Sequence, residues 1–300
     1  MDDSGENIPL IPTTLKGVLT MDFKIGVMLE SFRLPDREAI EAAKKVGAQG
    51  IQMYCTKGDH SPANMTADKK KELLSIMDAN GLVFSAICGD LGRGFGNKEL
   101  NPGLIEESKR ILELAKELGT DIVTTHIGVV PEDKNEERYK IMQEACFELS
   151  KFADDMGSHF AIETGPETSA TLRNFLDTLG STGVAVNLDP ANLVMVTGDD
   201  PVKAVDNLAP YIVHTHAKDG VKLGECNPLH VYRVVDLDNI PTSKSFEEVA
   251  LGTGQVDWKN YLAALDRINF HGFLTIEREV GADPAKDIKT AADFLKNIIC

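Results

Sequence analysis

Five side chains able to bind a metal or move a proton come at the ends of predicted strands. Apolar segments run into Glu163 in "AIETGPE", Asp189 in "VNLDPANL", His216 in "HTHAKDG" and Glu277 in "LTIEREVG", and a further one runs into His126 in "THIG". A carboxylate that follows an apolar run is costly to bury without a partner. Two glutamates, one aspartate and one imidazole suit Mn²⁺ or a similar divalent ion better than a thiolate-type structural zinc site. The sequence therefore predicts a metal centre for Mn²⁺, with Mg²⁺, Co²⁺ or Zn²⁺ as alternatives, and its ligands would be Glu163, Asp189, His216 and Glu277.

Each of these residues also has a plain structural interpretation. Glu163 could form a salt bridge or cap the next helix, although Thr168 is better placed for that cap. An Asp-Pro step such as Asp189–Pro190 commonly begins a turn. Glu277 could pair with Arg278, and a single histidine such as His126 is more often a buried, hydrogen-bonded core residue. The convergence of four such groups from different strand ends favours a functional site.

The segment "IVHTHAKDG" (212–220) alternates His214, His216 and Lys218 with smaller residues. Side chains two apart in a strand share one face, so all three are expected to point the same way. Depth along the strand then separates them. We expect His216 to bind the metal, Lys218 to meet a substrate oxygen, and His214 to serve as a hydrogen-bonded interior residue.

The elements that must position these groups alternate regularly along the chain. Eight strand candidates, at 23–29, 50–55, 83–88, 121–128, 159–164, 184–189, 212–217 and 273–278, are separated by amphipathic helical segments. This rhythm predicts an α/β fold, a single (β/α)8 TIM barrel over residues 22–300, preceded by an extended segment over residues 1–21. A doubly wound open sheet is the alternative, but we find no nucleotide-binding glycine motif after the first strand. Polar groups at the carboxyl ends of barrel strands are typical of catalysis.

One connection is abnormally long. Almost forty residues separate strand seven from the helix near 257, and the excursion leaves the barrel rim at which active sites are built. Long connections in compact domains are usually functional or disordered. We interpret residues 220–256 as a lid or a substrate-specificity loop.

Composition excludes several classes of function. The formal net charge of −16 argues against nucleic acid as the main partner. The longest apolar runs are too short to span a membrane. Five widely spaced cysteines indicate reduced thiols in a cytoplasmic protein, and the oligomeric state stays open.

The order of Glu163, "NLDPANL", "HTHAKDG" and "TIERE" resembles the xylose isomerase-like TIM-barrel superfamily, in particular its sugar epimerase and isomerase branch. The resemblance covers residues 22–299 and is specific for the superfamily but not for a substrate. It implies that Glu163, Asp189, His216 and Glu277 bind the metal. It further implies that Glu163 and Glu277 are the acid/base pair, and that Lys218 faces a small sugar substrate.

The implied reaction is a metal-dependent sugar isomerisation or epimerisation, in which a proton moves at a carbon next to a carbonyl through an enediolate. Ketose epimerases of the family commonly carry a histidine where this chain has Asn192, which can bind a hydroxyl but cannot shuttle a proton. Two alternatives stay open: a lyase or dehydratase acting on a 3-oxo sugar, 3-oxo-glycoside or inosose, and a non-catalytic sugar-binding barrel. Endonuclease IV shares the barrel but requires more histidines than this chain supplies.

Further candidates for substrate contact lie on loops. The glycine-rich "CGDLGRGFGNK" brings Arg93 near the rim, and the long excursion carries Arg233. Either arginine could bind a hydroxyl or an anion, so the sequence leaves phosphorylation of the substrate open. Glu30 and Trp258 could also line the pocket, although packing is the commoner role of a tryptophan.

Overall fold

The computed structural model describes residues 21–235 and 244–299. Eight strands close into a barrel of parallel pairs, in the spatial order β1-β10-β7-β6-β5-β4-β3-β2. They are β1 Lys24–Met28, β2 Gly50–Tyr54, β3 Val83–Cys88, β4 Ile122–Thr125, β5 His159–Glu163, β6 Val184–Leu188, β7 Ile212–Ala217 and β10 Phe273–Ile276. The predicted (β/α)8 barrel is confirmed, and closure of the sheet excludes the open-sheet alternative.

Helices lie between the strands, and most of them cover the outside of the barrel. They are α1 Asp36–Val46, α2 Ala67–Asn80, α3 Asn101–Glu117, α4 Glu137–Met156, α5 Ser169–Leu176, α6 Pro190–Asn192, α7 Pro201–Leu208, α8 Pro228–Val231, α9 Trp258–Arg267 and α10 Pro284–Ile299. Side-chain caps fix several helix starts, because a short polar side chain accepts a hydrogen bond from an otherwise unpaired N–H of the first turn. Thr168 caps α5 in this way, as its position in the sequence suggested, and Thr66 caps α2.

The excursion after β7 is more ordered than a simple loop. It begins with strand β8 Asp219–Lys222, which pairs antiparallel with β9 Phe246–Val249. Helix α8 lies between them in sequence. The sequence did not predict this hairpin, because the two strands are far apart in the chain and no tight-turn motif joins them.

An ion pair connects the hairpin to the barrel wall. The Arg278 Nη1 donates to Glu248 Oε1 at 2.7 Å, and its Nε donates to Asp287 Oδ2 at 3.0 Å. Arg278 follows Glu277 in the chain, so strand β9 is attached directly beside one of the predicted site residues.

Two expectations concern features at or beyond the limits of the described residues. The extended segment predicted over residues 1–21 lies outside them except for Met21, whose N–H donates to the Ile299 carbonyl at 3.0 Å. Within the described residues, no helix is long and apolar enough to cross a membrane. The cysteines in that part of the chain, Cys55, Cys88, Cys146 and Cys226, are free thiols, as expected.

Candidate metal centre and active site

The four predicted ligands meet at one end of the barrel. Glu163 ends β5, Asp189 follows β6, His216 lies in β7 and Glu277 follows β10. These strands are neighbours in the order β10-β7-β6-β5, so their carboxyl ends converge. One donor atom from each residue lies within 4.8 Å of the other three, and all four side chains are buried.

The geometry of this cluster leaves polar atoms without partners. The His216 Nδ1 lies 3.3 Å from Glu277 Oε2, 3.5 Å from Asp189 Oδ2 and 3.6 Å from Glu163 Oε1. Among the described residues, neither His216 Nδ1 nor Asp189 Oδ2 has a hydrogen-bond partner. Buried polar atoms without a partner are expensive. A divalent cation among one imidazole and three carboxylates would satisfy them, so the residues present fit such an ion.

Neighbouring charges favour the charged forms of His216 and Glu277. Burial opposes a charge on His216, but Glu277 and Glu163 outweigh it and raise the His216 pKa well above its ordinary value. Burial likewise opposes ionisation of Glu277, yet Lys218 and His216 hold the Glu277 pKa well below its usual range. Glu277 is therefore a carboxylate at neutral pH, which is the form a general base needs.

Lys218 lies deeper than its position in the sequence suggested. Its side chain is only 4% exposed, and its Nζ donates to Glu277 Oε2 at 3.0 Å and Glu279 Oε2 at 2.6 Å. Burial opposes the lysine charge, but Glu277 and the neighbouring carboxylates raise the Lys218 pKa well above its ordinary value. Lys218 lines the cavity above the cluster, so a buried cationic donor contacts Glu277 at the cavity wall.

Asn192 and His126 both contact Glu163. The Asn192 Nδ2 donates to Glu163 Oε1 at 2.9 Å, and the His126 Nε2 lies 3.8 Å from the same oxygen. The other ring nitrogen of His126 hydrogen-bonds to Asp90 at 3.0 Å. Burial opposes a charge on His126, but Glu163 and Asp90 outweigh it and raise the His126 pKa to about 9. Both residues line the same cavity, and their contact with substrate stays a prediction.

Other predicted residues lie elsewhere. Arg93 and Arg233 are exposed, and neither lines the cavity in the described part of the chain. Glu30 is exposed and accepts a hydrogen bond from the Tyr54 N–H at 2.8 Å. Trp258 is buried, packs against Tyr261, and donates its indole N–H to Asp219 at 3.0 Å, so it has the packing role.

The sequence did not reveal the aromatic wall of the site. Tyr232, which directly follows the short helix α8, places its ring centroid 5.2 Å from that of His126, and Tyr54 ends strand β2. A Cβ at Gly165 would lie 2.5 Å from the Tyr232 hydroxyl oxygen and 2.6 Å from Asn192 Cβ, and the Gly165 φ is +134°. Only glycine allows this backbone and this close approach. The sequence predicted a substrate contact for the adjacent Arg233, but no periodic pattern distinguishes Tyr232 from its neighbours.

The cavity above the cluster has a volume of about 650 Å³. Its walls come from the barrel rim and from the excursion, which contributes Tyr232 together with Phe246 and Glu247 of β9. This volume falls within the ~300–1,000 Å³ typical of small-molecule sites. The excursion therefore forms part of the pocket wall, and its role as a lid or a substrate-specificity loop stays a prediction.

Comparisons with known proteins agree with this architecture. A family model described as xylose isomerase-like TIM barrel matches residues 40–298. An inosose dehydratase of Clostridium beijerinckii is 24% identical over 155 residues, and the match covers 50% of this chain and 50% of that enzyme. The chain thus matches about half the length of this curated relative.

Solved structures show the same fold along nearly the whole chain. A xylose isomerase domain protein from Planctomyces limnophilus superposes with a TM-score of 0.74 and 24% identity, covering 93% of this chain and 97% of that one. A D-tagatose 3-epimerase-like protein superposes with a TM-score of 0.70 and 18% identity, covering 92% and 98%. With its closed barrel and the matched residues 40–298, the chain belongs to the xylose isomerase-like TIM-barrel family.

Proposed function

We propose that this protein is a divalent-metal-dependent isomerase or epimerase of sugars or related polyols, which moves a proton at a carbon next to a carbonyl through an enediolate. The observation that carries the proposal is the buried cluster itself. Two glutamates from different strands approach one unpartnered imidazole nitrogen, at 3.3 Å for Glu277 and 3.6 Å for Glu163. This arrangement supplies both a cation site and two carboxylates that can exchange protons with a bound substrate.

Glu163, Asp189, His216 and Glu277 would hold the ion. When bound, the ion would act as a Lewis acid that polarises the substrate carbonyl and stabilises developing negative charge, and Mn²⁺ is the occupant we favour. Glu277 is kept ionised by Lys218 and His216, so we assign to it the removal of the C–H proton. Glu163, held by Asn192 and approached by His126, returns a proton. Lys218 donates hydrogen bonds and balances the charge of Glu277.

The lining of the cavity supports an uncharged substrate. Each cationic side chain that lines it in the described residues already faces a carboxylate: Lys218 faces Glu277, Arg278 faces Glu248, Lys244 faces Glu247 and His126 faces Asp90. Further carboxylates line the same cavity and make it more negative, which disfavours an anionic substrate. A phosphate group binds best where arginine or lysine is free to pair with it. We therefore propose an unphosphorylated ketose or polyol-derived ketone as substrate.

The same groups support a second candidate, a lyase or dehydratase acting on a 3-oxo sugar, 3-oxo-glycoside or inosose. The specific observation is Asn192, which hydrogen-bonds to Glu163 where ketose epimerases of the resembling branch carry a proton-shuttling histidine. The likeness to an inosose dehydratase points the same way. Removal of the same proton would then be followed by loss of a leaving group on the neighbouring carbon.

Isotope exchange tests the proposal. The Mn²⁺-loaded protein is incubated in deuterated water with D-fructose, a 3-oxo-glucoside and an inosose, and deuterium in the recovered substrate is measured by mass spectrometry. We expect Glu277→Gln and Glu163→Gln each to reduce incorporation by about 100-fold or more, because each removes one proton-transfer group. Glu41→Gln is the control, since this carboxylate is exposed on helix α1, lies outside both the cavity and the cluster, and should leave incorporation near that of the unmodified protein.

The outcomes separate the candidate functions. Normal incorporation with either glutamine variant contradicts the two-carboxylate scheme. Release of water or an aglycone, instead of a sugar isomer, identifies the lyase. Sugar binding by the unmodified protein without any exchange, with each divalent metal supplied in turn, identifies a non-catalytic binder.

A further inference from the structure

A buried glutamine lies directly beneath the metal cluster. Gln52 is in the middle of strand β2 and its side chain is completely buried. Its Oε1 lies 3.2 Å from His216 Nε2 and 2.9 Å from His214 Nε2. An uncharged polar residue at the centre of an apolar strand needs a full set of partners, and here two of them are imidazoles.

The orientation of the Gln52 amide is set from its other end. The Gln52 Nε2 donates to the Thr124 Oγ1 at 3.0 Å, on the far side of the barrel interior from β7. The carbonyl oxygen of the amide therefore points at the two histidines. A carbonyl oxygen can only accept, so each imidazole nitrogen that faces it is favoured in its protonated form.

A second amide competes for the same nitrogen of His216. The Asn187 Nδ2 lies 3.2 Å from His216 Nε2 and 3.4 Å from Glu163 Oε2. An NH₂ group can only donate, so this contact favours a His216 whose Nε2 is unprotonated. A neutral imidazole of that kind would carry its proton on Nδ1, which is the atom that faces Asp189 and both glutamates.

We propose that Gln52 is the positioning residue that keeps the proton of His216 on Nε2, and so leaves the Nδ1 lone pair free to bind the metal. This inference rests on the proposed metal centre but not on the substrate or the reaction. Histidine ligands generally donate their second ring N–H to an oxygen acceptor that fixes the ring and its tautomer. In this chain that acceptor is an amide from the opposite wall of the barrel, itself held by Thr124.

His214 completes the arrangement. Its Nε2 contacts the Gln52 oxygen and the Thr275 Oγ1, both at 2.9 Å. His214 is thus an interior hydrogen-bonded residue, as expected, and it helps to hold Gln52 in place because it contacts the same Gln52 oxygen as His216.

Metal titration of the purified full chain tests the inference. The dissociation constants of Zn²⁺ and Mn²⁺ are measured by calorimetry for the unmodified protein and for Gln52→Leu, Gln52→Glu and Asn187→Ala. We expect Gln52→Leu to weaken binding about 10–100-fold, as is usual when an outer partner of a ligand is removed. Gln52→Glu keeps an acceptor oxygen and should restore most of the affinity. Asn187→Ala removes the competing donor and should not weaken binding comparably.

A spectroscopic measurement supplies a readout that a merely structural role would not change. In the Zn²⁺-loaded protein with ¹⁵N-labelled histidine, the His216 resonances are identified by their loss in His216→Asn. We expect a protonated, slowly exchanging Nε2 in the unmodified protein, and faster exchange of this proton in Gln52→Leu. Because the first of these observations needs only the unmodified protein, the test survives if Gln52→Leu fails to fold.

The failures are distinguishable. A folded Gln52→Leu variant that binds Zn²⁺ as tightly as the unmodified protein overturns the role of Gln52 and leaves the proposed function intact. An unprotonated Nε2 in the Zn²⁺-loaded unmodified protein has the same meaning. Absence of any divalent metal binding by the unmodified protein removes the metal centre, and with it both proposals.

Discussion

Two buried carboxylates near the end of strand β7 have opposite surroundings. Asp189, in the metal cluster, leaves its Oδ2 without a partner among the described residues. Asp219, at the start of the hairpin, accepts five N–H groups: the backbone N–H of Gly220, Gly252, Gly254 and Val256, and the indole N–H of Trp258. We refer to this second arrangement as the Asp219 cage.

The difference shows how a buried carboxylate that stabilises the fold can be distinguished from one that forms a binding site. A buried carboxylate surrounded by donors stabilises the fold, because it satisfies groups that would otherwise be buried unpaired. A cluster of buried carboxylates with unpartnered atoms costs stability and persists only if something else uses those atoms. The Asp219 cage holds the returning end of the excursion against the end of β7, whereas the cluster is a set of residues that could bind a metal ion.

The largest expected effect is the loss of the cage. Asp219→Ala leaves five donors without their acceptor, most of them buried, so we expect the free energy of unfolding to fall by roughly 5 kcal/mol. Urea denaturation followed by circular dichroism measures the change. A loss below about 1 kcal/mol would show that water replaces the carboxylate and that the cage contributes little.

A third buried carboxyl, Glu167, gives an intermediate effect that depends on pH. Burial, opposed by the Val130 N–H and the charge of His126, raises the Glu167 pKa to about 8 from 4.5. Between these values the folded state keeps a proton that the unfolded state has lost, so stability falls as pH rises from about 5 to 8. Glutamine does not titrate, so the free energy of unfolding of Glu167→Gln, relative to that of the unmodified protein, should rise by about 3 kcal/mol between pH 5 and pH 8.

Denaturation of both proteins at pH 5, 6.5 and 8 provides the measurement for Glu167. The difference between the two proteins isolates this carboxyl from the other titrating groups. An equal difference at pH 5 and pH 8 would mean that Glu167 is already ionised in the folded protein at the lower pH.

The smallest expected effect on stability comes from Asp189. Asp189→Asn removes one charge from the crowded cluster and keeps the oxygen that caps Asn192 N–H at 2.9 Å. We expect metal-free stability to stay within about 1 kcal/mol of that of the unmodified protein, while divalent metal binding weakens sharply. A destabilisation as large as that of Asp219→Ala would show that Asp189 stabilises the fold as much as Asp219 does, which contradicts the comparison.

The sequence predicted the barrel and the cluster for one physical reason. Parallel strands buried on both faces leave continuous apolar runs, and the first charged residue after each run marks the rim. Glu163, Asp189 and Glu277 could be found in this way. Gln52 could not, because a single polar residue within an apolar strand has no periodic signature, and its partners come from strands more than seventy residues away.

The excursion was the least predictable part of the site. Its length marked it as unusual, but the pairing of β8 with β9 and the approach of Tyr232 to His126 depend on tertiary contacts. Arg93 and Arg233 were chosen for their charge, and the structure places both at exposed positions outside the cavity. A charged residue on a loop was thus a poorer indication of a position in the cavity than a polar residue at the end of a strand.

The Asp219 cage also gives the molecule a built-in optical probe. Trp258 is the single tryptophan of the chain, and its indole N–H donates to the residue that follows Lys218. Its emission therefore originates beside the site, in a buried position that ring contacts with Tyr261 and Phe294 define. Intrinsic fluorescence can follow the integrity of the cage, and its response to metal or sugar, without any attached label.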